Sequence, residues 1–86
     1  MLIIDKTVKN IDSDVYEYTL YCAKATEKRY YHVSARLCRN GEESLYVLPE
    51  IFTSFEKAAL FYKRAYQNLI TPIGMPYFLE DCIYIP

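Results

Sequence analysis

One stretch, Tyr16 to Leu37, constrains this chain more than any other. "YEYTLYCAK" and "RYYHVSARL" flank the turn-like "ATEK", and folding one run back on the other opposes residues whose numbers add to 53. One face then carries Cys22 with Tyr31, Leu20 with Val33, Tyr18 with Ala35 and Tyr16 with Leu37. The other carries Tyr21 with His32, Thr19 with Ser34 and Glu17 with Arg36. Side chains alternate across a strand, so a slip of one residue would destroy the apolar face and the polar face together. The pattern predicts an antiparallel pair with Tyr16, Tyr18, Leu20, Val33, Ala35 and Leu37 buried.

Two further strand-like runs extend this pair. "LIIDKTVK" (2 to 9) precedes it and "SLYVL" (44 to 48) follows, set off by "NIDSD" and "NGEE". Asn40-Gly41 is the strongest turn signal, because both central residues of a type I′ hairpin turn take positive φ. Leu2, Ile4 and Val8 are expected to join the buried face from the first strand.

After the strands the period changes. Apolar residues at 55, 58, 59, 62, 65, 66 and 69 gather on one side of a helix expected over 54 to 69. "TSFE" reads as a capping box joining Thr53 and Glu56, and Pro72 marks the end by pushing Thr71 out of helical geometry. A shorter helix is expected from Pro76 through "YFLEDCIY". The expected fold class is α+β: one domain over 1 to 86, a four-stranded antiparallel meander with one amphipathic helix on one face and a short C-terminal helix, in the order ββββαα.

Three cysteines and one histidine would make a zinc ligand set, but the register separates them. Cys22 points inward, while His32 and Cys38 point outward and stand six residues apart on one strand, ~20 Å at about 3.3 Å per residue. The expectation is no metal and no cofactor. The same separation denies Cys22 a histidine base, and adjacent Glu80 and Asp81 diverge on a helix, so a catalytic pair is not indicated and the protein is not expected to be an enzyme.

Ten basic residues against eleven acidic ones provide no overall field toward nucleic acid or an anionic membrane. No segment approaches the ~18 to 20 apolar residues of a membrane span, and the "MLIIDKTVKN" start is too short in apolar length for a signal peptide. With an odd cysteine count and no tight spacing, the expectation is a reducing, cytoplasmic setting.

The C-terminal half holds a capped helix "TSFEKAALFYKRAYQN", an "ITP" step at 70 to 72 and "LEDCI" at 79 to 83. On these motifs the last 35 or so residues resemble a family of short uncharacterised bacterial proteins, seen mainly among clostridial Firmicutes and catalogued as a domain of unknown function. The chain departs from that family at "IGMPYF" (73 to 78), where the family tends to polar or acidic residues. The resemblance implies a bacterial cytosolic setting and no catalytic residue. It also implies a structural role for the motif, with Thr71 capping the turn at Pro72 and Glu80 or Asp81 closing a local hydrogen bond or salt bridge.

What is left over points to contacts. Leu60 falls about 160° from the centre of the helix's apolar band, among Glu56, Lys63 and Arg64, with Phe61 on the flank. On the outer sheet face Tyr21, Tyr30 and His32 cluster, and Leu45 and Val47 join from the fourth strand. Apolar clusters on a small domain mark contacts. The expected function is therefore a non-catalytic protein-interaction or self-association module, with a homodimer or another protein as partner. The alternative is a nucleic-acid binder that stacks bases on Tyr21 and Tyr30 and holds phosphates with Lys24, Lys28, Arg29 and Arg36.

Overall fold

A computed structural model describes residues 2–48 and 52–84, and their side chains through Glu80 with the exception of Ala25. Four strands, β1 (Leu2–Ile11), β2 (Asp14–Ala25), β3 (Lys28–Arg39) and β4 (Glu42–Val47), form one open antiparallel sheet in sequential order. α1 (Phe55–Gln67) follows, then a 3₁₀ turn (Pro72–Gly74) that runs directly into α2 (Met75–Tyr84). The fold is α+β, ββββαα.

All three strand connections are two-residue hairpins, closing at Ile11 with Asp14, Ala25 with Lys28 and Arg39 with Glu42. Asn40 and Gly41 both take positive φ (53° and 78°), the conformation a type I′ turn demands. Asp12 and Thr26 open the other two turns at positive φ as well. Between β2 and β3 every pair adds to 53, from Val15 with Cys38 to Ala25 with Lys28. The inner face of the sheet holds Tyr16, Tyr18, Leu20, Tyr31, Val33, Ala35 and Leu37, all buried beneath α1.

β1 differs from the expected placement. The pairing shifts between Ile3 and Asp5, which leaves Ile4 as the extra residue of a bulge. Beyond the bulge Asp5, Thr7 and Lys9 pair with Leu20, Tyr18 and Tyr16 on the inner side, so Val8, opposite Glu17, lies on the outer face. A bulge adds one residue and inverts the alternation downstream, which a strict period of two does not foresee.

Three features of the helices also depart from the sequence reading. Ser54, not Thr53, is the N-cap of α1: its hydroxyl accepts from the Lys57 amide at 3.4 Å, and Thr53 and Glu56 are exposed without forming the expected box. α1 stops at Gln67, short of Leu69, because Leu69 turns left-handed (φ 50°). Its amide then bonds to the Tyr66 carbonyl and that of Ile70 to the Ala65 carbonyl, a Schellman closure with leucine where glycine is usual. A 3₁₀ turn with Pro72 at its first position, which the sequence reading did not include, leads into α2, which starts at Met75 beside the expected Pro76; in that turn the Thr71 hydroxyl accepts from the Gly74 amide as its capping role requires.

Candidate protein-interaction surface

Outer-face residues line up in rows across the four strands. The register aligns Val8, Glu17, Arg36 and Leu45; beside them run Lys6, Thr19, Ser34 and Val47. Ile3, Tyr21 and His32 form a further row. The middle of this face is a closed polar floor. Thr19 and Ser34 are buried, and Tyr21 leans along its strand so that its hydroxyl accepts from Ser34 Oγ at 3.3 Å. Ion pairs Lys6–Glu17 (3.3 Å) and Arg36–Glu43 (2.9 Å) bridge adjacent strands. The apolar side chains stand at the two margins: Ile3 and Val8 on β1, Leu45 and Val47 on β4, all exposed.

The sequence-nominated contact residues therefore separate into three groups. Tyr21 and Tyr30 (half-buried) share the outer face with Leu45 and Val47. Leu60 is exposed, but on the solvent side of α1, which covers the opposite face of the sheet. His32 and Phe61 are not contact residues at all. Phe61 is in the core, its ring 5.4 Å from Phe52 and 5.3 Å from Phe78, because the segment before α1 and α2 after it wrap its flank as well as the sheet. Helical periodicity finds one packing partner; Phe61 is buried by two others.

His32 is buried by the chain leaving β4. Leu48, itself buried, donates its amide to the Val33 carbonyl and offers its own carbonyl to His32 Nδ1 at 3.2 Å. A carbonyl only accepts, so Nδ1 carries the proton of this bond. The sequence reading missed the exposed Ile3 and Val8, together with Ile73 and Tyr77 at the start of the last helical run, which are 85% and 71% exposed. The apolar departure at "IGMPYF" was the signal for the latter two. Glu80 is exposed, and the Asp81 side chain lies outside the described residues.

The register that separates Cys22 from Cys38 and His32 is the observed one, and among the described residues no three His, Cys, Asp or Glu groups gather closely enough to hold a metal. A shallow open depression at the β3–β4 hairpin is lined by Leu37, Arg39, Asn40, Glu42, Glu43 and Ser44, with no thiol or imidazole. Arg39 there is committed to Asp14 (2.9 Å) and the Tyr16 hydroxyl (3.3 Å), and the Asp14 hydrogen bond, with its charge, raises the guanidinium pKa further. Two phenols are shifted by burial: Tyr18, whose hydroxyl donates to the Ile70 carbonyl at 2.9 Å, and Tyr62, 2.6 Å from the Thr7 hydroxyl, both pushed above the usual tyrosine value. These bonds tie the sheet to α1 and its exit, and they are structural. No described helix is long and apolar enough to cross a membrane. Comparison of the chain with known protein families, with curated proteins and with solved structures finds no match.

Proposed function

We propose that this chain is a non-catalytic protein-interaction module of the bacterial cytoplasm that takes a protein, a second copy or another chain, on the sheet face opposite α1. The observation carrying this reading is the exposure of Ile3, Val8, Leu45 and Val47 on the one sheet face that neither helix covers. Single exposed aliphatics are ordinary, but two exposed pairs, one at each margin of one sheet face of a small domain, form the kind of surface that a partner dehydrates. The polar floor between them, already hydrogen-bonded and ion-paired, supplies a rigid platform rather than chemistry.

The nucleic-acid reading draws less support. Arg36 is engaged by Glu43, which leaves fewer groups to hold phosphates. Photoreactive side chains at positions 45 and 47, with position 63 on the exposed side of α1 as control, test the choice in living cells. Protein adducts at 45 and 47, resistant to nuclease and absent at 63, are expected. Equal yields at all three positions, or nuclease-sensitive adducts, would overturn the reading.

A further inference from the structure

β1 is an edge strand of ten residues, nine of them exposed, with Thr7 alone half-buried. Long exposed edges carrying aliphatic side chains recruit another strand unless something prevents it. The direction of the free backbone groups follows from the hairpin. A two-residue hairpin closes with a hydrogen-bonded pair, here Ile11 with Asp14, so alternation turns the amides of Lys9, Thr7 and Asp5 toward β2 and those of Asn10, Val8 and Lys6 away from the sheet. One contact supports this phase independently. The Lys6 amide donates to the carboxylate of its neighbour Asp5 at 2.9 Å, as an amide without a strand partner would.

From this edge we infer that a second copy of the chain pairs through β1, antiparallel about a two-fold axis normal to the sheet, with Thr7 opposite Thr7 and Asp5 opposite Lys9. The inference goes beyond the proposed outer-face surface, because it concerns the free β1 edge, at the opposite margin of the sheet from Leu45 and Val47, and it names a partner, an element and a register. Such an axis keeps the outer faces of both copies on one side, so only residues sharing a face can stand opposite one another. After the bulge Asp5, Thr7 and Lys9 share the inner face, and Lys6, Val8 and Asn10 share the outer.

Charge then selects among the permitted registers. With Thr7 on the axis, Asp5 of each copy opposes Lys9 of the other, twice by symmetry, at the non-hydrogen-bonded positions where side chains approach most closely. Lys6 opposes Val8 of the second copy, and each such pair exchanges both of its outward backbone bonds. A shift of one residue in one direction puts Lys6 on the axis against its own copy; a shift in the other leaves Asp5 against Ile11 and Lys9 against Thr7. The charges that protect the edge from indiscriminate pairing thus become complementary in a single alignment. Within one chain Asp5 accepts from the Lys6 amide and Lys9 Nζ lies 5.7 Å from the Tyr66 ring centre, contacts that both exchange for the intermolecular pair. α1 crosses β2 and β3 and reaches β1 at Thr7 and Lys9, on the inner side, which leaves the outward amides clear.

Sedimentation of the full chain at tens of micromolar tests this. The unsubstituted protein is expected to be dimeric, and Asp5→Lys and Lys9→Asp are each expected to weaken the dimer at least tenfold by placing like charges opposite. Mixed in equal amounts, these two variants should recover a heterodimer, since each supplies the charges that the other needs. Val8→Pro, which removes an outward amide without touching the β1–β2 bonds, should give a monomer with unchanged circular dichroism. It stands as the test if a charge variant fails to fold. A monomeric unsubstituted protein overturns the pairing, as does a mixture that stays monomeric although each variant is folded. A dimer that survives Val8→Pro but is lost on Leu45→Glu also overturns it, while leaving the outer sheet face as the interaction surface.

Discussion

Replacing Tyr18 by phenylalanine isolates one bond that joins the sheet to the exit of α1. The ring is fully buried, and its hydroxyl donates to the Ile70 carbonyl at 2.9 Å, just beyond the Schellman closure. The substitution keeps the ring's packing and removes the donor, leaving a part-buried carbonyl without this partner, at a cost of about 1 to 2 kcal/mol. For 86 residues at about 2.1 cal/mol/K each, the unfolding entropy is about 0.18 kcal/mol/K, so Tm should fall by about 5 to 11 °C. The cost should also depend on pH. Burial raises the Tyr18 pKa above its unfolded value near 10, so the unfolded chain releases the phenolic proton first, and its contribution to stability, complete below pH 10, is lost as pH rises toward the folded value. Phenylalanine has no such proton. The gap between the two proteins should therefore narrow by about 1 kcal/mol between pH 10 and 11. Urea melts of both at pH 8, 10 and 11 make the measurement. A gap that is constant across this range would refute the burial argument, and no gap at pH 8 would refute the hydrogen bond.

Leu20→Ala should destabilise by about 2 to 5 kcal/mol in the same melts, whereas Leu60→Ala on exposed α1 should stay within about 0.5; comparable losses would place the core wrongly. Ser54→Ala should cost about 0.5 to 1 kcal/mol and Thr53→Ala less than that, a contrast that distinguishes the observed cap from the capping box. Gly41→Ala meets nothing within 4 Å at φ +78°, so its cost, about 1 kcal/mol, reflects backbone conformation alone, and an unchanged Tm would exclude the positive-φ turn. Tyr62→Phe should lower stability by about 1 kcal/mol through loss of the Thr7 bond, measured as a shift in the urea midpoint without a change in slope.

The sequence by itself determined the β2–β3 register, the type I′ turn at Asn40-Gly41 and the order of elements. Each is set by neighbours in the chain or by an alternation that only one alignment satisfies. The Ile4 bulge was hidden because backbone pairing decides it and no residue type marks it. The end of α1 at Gln67 was hidden because Leu69 takes a conformation that its own side chain disfavours, held there while it packs against the core. Phe61 and His32 read as surface residues because a helix face and a strand face were each judged against one packing partner. Phe52, Phe78 and the chain at Leu48 arrive from elsewhere and bury them. Tertiary structure decided which apolar residues remained in water, because a side chain's exposure depends on every segment that packs against it, whereas periodicity reports only the segment to which it belongs.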